Sequence, residues 1–268
     1  MIKQKRAIQK SFEHSFVKIY YNTSMQPLII KYLTQQLEAA LKYHAIVLDD
    51  PENLHQFRIA LRRMRSIIKL YMPEAYAFSE VLKQIFKQTN TVRELDVLLE
   101  SLNKKHNSEL YKYIRQYKDE RYRTLLSPDV LDNQKHSLKG LHSEFIFFYT
   151  ADPVTSLFDP VFTLYTKTLR AYKKTKQSAS TAQLHQLRIN FKTSRYALEL
   201  LHTEGIYYAA KEIKQCKKTL DKLGAIQDSQ NQLDLLKNIC QDHDTKACNK
   251  ILKKRKKILR KLRKSSMN

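Results

Sequence analysis

The stretch Leu54-His55-Gln56-Phe57-Arg58-Ile59-Ala60-Leu61-Arg62-Arg63-Met64-Arg65 returns 130 residues later as Leu184-His185-Gln186-Leu187-Arg188-Ile189-Asn190-Phe191-Lys192-Thr193-Ser194-Arg195. Across positions 54–70 and 184–200, seven of seventeen residues are identical, and the basic ones keep one frame, H-x-x-R-x-x-x-(K/R)-x-x-R. A repeat spaced by more than a hundred residues is two copies of a multi-element unit, not a solenoid of short repeats. At about 100° per residue, His55, Arg58, Arg62, Arg65 and Lys69 fall within an arc of roughly 80°. Phe57, Leu61, Met64, Ile68 and Tyr71 fill the neighbouring face. In the second copy His185, Arg188, Lys192 and Arg195 lie beside Leu187, Phe191, Leu198 and Leu201. Cations that flank an apolar stripe line a groove or a junction between packed elements; a merely solvated face sets them opposite it. Arg63 lies off the arc, where an ordinary surface residue sits. The pattern implies an anionic ligand held between two halves.

The repeat includes the helix starts. Asp50 is placed as N-cap, with Pro51 as the first helical residue, and Ser180 falls at the matching position of the second copy. Each histidine then sits in the second turn, near the positive end of the helix dipole, where a phosphate oxygen is favoured. A lone histidine there equally suits a local hydrogen bond. Arginine adds a fork that pairs two phosphate oxygens at once.

Outward from these helices, the periodicity predicts a helix over 24–48 and closure of the His55 helix at Pro73. A long third helix is predicted over 78–102, a fourth over 109–126 and a short one over 132–149. The Asp-Pro breaks between 151 and 160 form the best internal boundary. The second half predicts a helix over 160–175, a polar linker at 177–182, the His185 helix ended by Gly205, and helices over 207–223 and 246–264, with Gly224-Ala225-Ile226-Gln227-Asp228 as a separate segment. The halves run over 15–150 and 157–264, within one domain spanning 1–268.

Forty-nine Lys+Arg against 26 Asp+Glu give a net charge of +23, while 42% of the residues are apolar. The chain is therefore not a disordered polycation, and its self-repulsion calls for counter-charge. Nucleic acid, an anionic membrane surface and inorganic polyphosphate all qualify, and so does a generally basic soluble protein that gathers only counterions. Three Gly and six Pro supply little turn chemistry for a many-stranded sheet. Cys216, Cys240 and Cys248 lack C-x-x-C spacing and fit neither a disulfide framework nor a zinc site, which favours a reducing cytoplasm. No apolar run approaches the roughly 18 residues of a membrane span, and no apolar core follows the basic N-terminus to make a secretory signal.

Four stretches carry a resemblance: Leu54-His55-x-x-Arg58-Ile59-x-x-Arg62-Arg63-x-Arg65, Thr91-Val92-Arg93-Glu94-Leu95-Asp96-Val97-Leu98, Leu184-His185-x-Leu187-Arg188-x-x-x-Lys192-x-x-Arg195-Tyr196-Ala197-Leu198-Glu199, and Leu223-Gly224-x-Ile226-Gln227-Asp228. Together and in order they resemble the CHAD family, histidine-containing α-helical domains associated with inorganic polyphosphate. The resemblance spans about residues 15–264. It implies an all-α fold of two four-helix bundles related by a pseudo-two-fold axis, with a basic cavity at the junction that binds polyphosphate. It carries Arg58, Arg62, Arg63, Arg65, Arg188, Lys192 and Arg195 over as binding positions, with His55 and His185 beside them. Lys69 joins them from the basic arc. Arg93 and Asp96, with Asp228 in the second half, carry over as the motif of the third helices, where Asp96 either orients an arginine or forms a surface i,i+3 pair. Thr193 and Ser194 stand where the family often has another cation, and Glu199 matches Lys69, which points to weaker binding by the second half.

Catalytic signatures are missing from the sequence. It has no E-x-E-x-K triphosphate-tunnel motif, no Gly-rich phosphate loop and no G-x-S-x-G. His243-Asp244 resembles a phosphohydrolase dyad without further ligands around it, and Asp49-Asp50-Pro51-Glu52 is better explained as a helix start. The expectation is a non-catalytic binder with no cofactor and no metal, cytoplasmic and suited to polyphosphate granules. The alternative is a helical RNA- or DNA-binding protein. Its support is the interleaving of Tyr with Arg from Tyr111 to Arg123, although tyrosines at helical spacing also serve as packing residues.

Overall fold

The computed structural model describes residues 26–102, 108–147, 156–175, 178–242 and 246–266, and among them the fold is all-α. Ten α-helices run in order: α1 Gln26–Ala45, α2 Pro51–Tyr71, α3 Tyr76–Gln88, α4 Asn90–Leu102, α5 Glu109–Leu125, α6 Pro128–Phe147, α7 Phe158–Lys173, α8 Thr181–Thr203, α9 Ala210–Asp242 and α10 Lys246–Ser266. A short 3-10 turn, Pro73–Ala75, joins α2 to α3. No described helix is long and apolar enough to cross a membrane.

The two repeat helices start as their sequences dictate. The Asp50 carboxylate accepts from the Glu52 amide at 2.6 Å, and Pro51 opens the helix. Ser180 and Gln183 form a reciprocal capping box at the start of α8, which satisfies two otherwise orphaned amides. Gly205, just past the end of α8, takes φ 69°, a conformation that favours a residue without a Cβ.

Packing joins the halves closely. α2 touches α1, α3 and α8, and α8 in turn touches α7 and α9. One large core holds Phe57, Leu61 and Met64 of α2 together with Leu184, Phe191 and Leu198 of α8, all buried. A second core is built from α4 and α5 on one side and α9 and α10 on the other, through Leu95, Leu98, Ile114, Leu236 and Ile239. The Tyr71 hydroxyl donates to the Leu157 carbonyl at 2.7 Å, so the end of α2 is tied to the approach to α7.

The structure departs from the sequence expectations in four places, the first being that the short helix expected over 132–149 is the 20-residue α6, which starts at Pro128. The helix predicted over 78–102 is two helices, broken at Thr89. There the Thr89 hydroxyl donates to the Phe86 carbonyl, and Arg58 donates to both of those groups. A side chain from 31 positions away makes that break, so local periodicity does not reveal it. Conversely, the break predicted at Gly224 is absent, because α9 runs continuously for 33 residues. Packing on α8, α10 and α4 offsets the helix cost of one glycine. The cysteines also depart from expectation: Cys240 and Cys248 form a disulfide with a Cα–Cα distance of 5.8 Å, while Cys216 is free and buried. The return of α10 along α9 brings the pair together without any recognisable motif. The cysteine argument for a reducing compartment therefore falls away. The His243-Asp244 dyad, the start of the predicted 24–48 helix and most of the Asp-Pro boundary lie outside the described residues.

Candidate anion-binding site

Arg58 is the most deeply placed cation of the first row, 7% exposed. Its guanidinium donates to the Phe86 carbonyl at 3.1 Å, to the Thr89 hydroxyl and to the Asn90 side-chain oxygen at 2.8 Å. It also stacks over the Phe86 ring at 4.0 Å. Burial first, then the Arg62 charge, push it down to about 9, which still leaves it charged at neutral pH. Arg58 thus fastens α2 to the α3–α4 corner.

Arg62 and Arg65 share that ring, with guanidinium carbons 5.1 and 5.9 Å from its centroid. Three arginines around one phenyl face place their like charges on a negative quadrupole. Burial lowers the Arg65 pKa, with nearby Glu80 acting against the shift. His55 is half-buried one turn before Arg58. Its imidazole is held below the ordinary value by burial and then by Arg93, with Arg62 and Arg58 adding to Arg93. Arg93 is therefore close to the row. Lys69 is exposed in the last turn of α2. Arg63 points elsewhere, toward Gln36 at 3.5 Å, Glu199 at 3.9 Å and the Tyr196 ring at 5.7 Å. Its position off the arc takes it to the α1–α8 side, away from Phe86.

In the second row, His185 is exposed and its Nδ1 donates to the Gln227 side-chain oxygen at 3.1 Å. Gln227 donates onward to Asn231 at 2.7 Å, and Asn231 to the Glu94 carboxylate at 3.1 Å. This one-directional chain ties α8 to α9 and α9 to α4, and so crosses from one half to the other. Burial raises the Glu94 pKa, with Arg58 opposing the shift. Arg188 faces Asp228 at 3.7 Å. Burial lowers its pKa, with Asp228 acting against the shift and Arg62 adding to it. Lys192 is pushed down to about 6 by burial, then by Arg62 and Arg188, with Asp228 opposing and Arg195 adding a little. Arg195 is held by Glu199 at 3.4 Å and lies 4.7 Å over the Tyr196 ring.

Across the α2–α8 packing, Arg62 thus acts on Arg188 and Lys192, and Asp228 is the acid that opposes the shift of both. Glu199 holds Arg195 and Arg63 instead. Thr193 and Ser194, which take the place of further cations, are 7% and 0% exposed. A charge at those positions would face the core. Among the described residues, Asp96 has no hydrogen bond or ion pair with Arg93 or another arginine. It accepts from the Tyr122 hydroxyl at 2.8 Å and pairs with Lys118 at 3.0 Å, both on α5.

Phe86, Asn231 and Glu94 had no part in the sequence-based site, and Gln227 entered only as a motif letter. Phe86 belongs to an ordinary apolar stripe, and its arginine partners lie more than twenty positions away in sequence, so nothing local marks it. A cavity of about 520 Å³ lies between the end of α7 and the start of α8, lined by Lys174, Gln183, Gln186 and Asn190. It is separate from the Arg62–Lys192 group. Among the described residues, no cluster of three or more His, Cys, Asp or Glu is arranged to hold a metal ion.

An all-helical chain with two in-register basic helices packed together is the class that this fold and site define. The family described as CHAD domain matches residues 31–237, and the chain belongs to it. The structure is similar to the crystal structure of the CHAD domain from the plant Ricinus communis, at 21% identity and a TM-score of 0.71, covering 92% of this chain and 88% of that one. It is also similar to PptA from Streptomyces chartreusis, at 11% identity and a TM-score of 0.59, covering 91% and 94%. At these identities the likeness is one of fold. Comparison with curated proteins gives no match.

Proposed function

We propose that this protein binds inorganic polyphosphate at the junction of α2 and α8, as a binder without catalysis. The observation that carries the reading is that Arg188 and Lys192 of α8 are both buried beside the charge of Arg62 on α2, with Asp228 as the acid that opposes their shifts. Like charges held together in a partly dry place are costly unless a counter-anion joins them. A phosphate chain supplies several oxygens per residue, a match to forked arginines. Membership of a family associated with polyphosphate supports the choice of anion.

The alternative, base stacking on the α5 tyrosines, has less support. Tyr111, Tyr113 and Tyr117 pack against the second core. The Tyr117 hydroxyl accepts from Arg121 at 2.9 Å and the Tyr122 hydroxyl donates to Asp96, so those groups are already engaged.

The test is a competition assay in which long-chain polyphosphate, tripolyphosphate and single-stranded RNA contend for the purified protein over a range of salt. Polyphosphate should displace RNA, with log K falling by roughly 0.7 per phosphate contact for each decade of salt if single strands are a guide. A flat salt response, or RNA as the winner, would sink the reading. Steady release of orthophosphate that vanishes in Arg62→Ala would overturn the non-catalytic part.

A further inference from the structure

We propose that the solvent face of α10 is a second anchoring surface for the same anion, so that the protein selects long linear chains over short ones. The proposal rests on the junction reading given above.

α10 carries eleven Lys or Arg in 21 residues and no Asp or Glu. Its two faces differ sharply. Cys248, Ile251 and Leu259 are buried in the two cores. Arg255 and Arg263 lie on that same side and are engaged by the fold. Arg255 donates to the Ser101 hydroxyl of α4, and Arg263 donates to the Ala179 carbonyl at 3.3 Å and the Thr181 hydroxyl at 2.7 Å. The other nine cations, from Lys246 to Lys264, are all exposed. They fall within an arc of about 160°, shared only with Asn249. None of them has an ion pair or hydrogen bond among the described residues.

Some exposed or half-exposed lysines elsewhere pair with acids three positions away, as in Lys83–Glu80, Lys112–Glu109 and Lys237–Asp234. On α10 the residues three and four apart are other cations, which repel along the helix. The face calls for a counter-charge that the described residues do not supply. It extends from Lys246 to Lys264, about 27 Å at 1.5 Å per residue.

The occupant is argued from position and stiffness. Arg263 fixes one end of α10 to the first turn of α8, one helical turn before His185. A flexible chain leaving the junction past His185 reaches the Thr181 end of α8, where Arg263 joins α10. Duplex DNA is stiff over about 50 nm and cannot turn from a junction between packed helices onto a neighbouring helix. Binding at two places by one chain makes the second contact intramolecular, so avidity rises with chain length and not with any new contact at the junction. A three-phosphate anion occupies one place only.

The test uses the full chain carrying Lys253→Gln, Lys254→Gln, Lys256→Gln and Lys257→Gln, titrated with long-chain polyphosphate and with tripolyphosphate. These side chains are exposed, and an unchanged thermal midpoint checks that the fold survives. Long-chain affinity should fall at least tenfold with a shallower salt slope, while tripolyphosphate affinity stays within twofold. Unchanged long-chain affinity, or an equal loss of both ligands, overturns the inference. A second variant, Arg62→Ala with Lys192→Ala, should weaken both ligands. If it keeps both at wild-type affinity while the α10 variant loses the long chain, the junction reading is the one that fails.

Discussion

The two copies of the basic helix share seven of seventeen residues and use the shared ones differently. In α2, Arg58 is sunk into a socket of Phe86, Thr89 and Asn90. In α8 the matched Arg188 meets only Asp228, at 3.7 Å and with that carboxylate about half exposed. Lys69 ends the first row in solvent, whereas its counterpart Glu199 turns Arg195 and Arg63 inward. A duplicated motif therefore divides its labour. One copy anchors a corner of the fold, and the other keeps its first cations poorly neutralised. Identity of sequence at two positions sets the chemistry available there, while the neighbours decide whether it is used for stability or for binding.

Arg58→Ala against Arg188→Ala breaks or sharpens this comparison most directly. Removing Arg58 takes away its bonds to Phe86, Thr89 and Asn90 and its packing on the Phe86 ring, and should cost about 2–4 kcal/mol in urea unfolding. Removing Arg188 should cost about 0–1 kcal/mol of stability, as for a solvent-screened pair, yet weaken polyphosphate binding. Equal stability losses would erase the division of labour.

Lys192→Met comes next and works through protons. Lys192 titrates at about 6 in the folded protein against 10.5 ordinarily, so between those values the unfolded chain binds the extra proton. Stability from this position therefore rises with pH across that window, and the cost is fully present below about pH 6. The methionine variant should gain about 1–3 kcal/mol near pH 7 and lose that part of the slope. An anion beside Lys192 restores its charge, so binding takes up a proton and weakens as pH rises above about 6. Calorimetry in buffers of different ionisation enthalpy should find that uptake in the wild type and not in the variant.

Phe86→Leu probes the first row alone. Losing the ring beneath Arg62 and Arg65 should lower polyphosphate affinity roughly fivefold, about 1 kcal/mol of cation–π attraction. Phe86→Tyr should restore it, an outcome that lost packing alone would not give.

Gly224→Ala has the smallest expected effect. A Cβ there would stand 4.0 Å from the Arg188 Nε, an ordinary contact. In mid-helix the alanine should add about 0.5–1 kcal/mol to stability. A loss in thermal melts, or a change in binding, would mean that α8 and α9 are packed more tightly at Arg188 than that distance implies.

The helical class was legible because 3.6-residue periodicity is a property of neighbours in sequence. Asp50 with Pro51, Ser180 with Gln183, and Gly205 mark helix ends through bonds and backbone angles that span only a few residues. The family signature was equally local. Each half of the signature lies on two helices, and its residues keep fixed spacings.

What only the tertiary structure decided lies between elements distant in the chain. The α3–α4 break depends on Arg58 reaching Thr89, and the unbroken α9 depends on the helices packed along it. Asp96 finds its partners on α5, and Cys240 meets Cys248 because α10 returns along α9. The division between Arg58 and Arg188 has the same origin. A side chain's charge and length are written in the sequence, but its burial and its partners are set by whichever segment the fold lays against it.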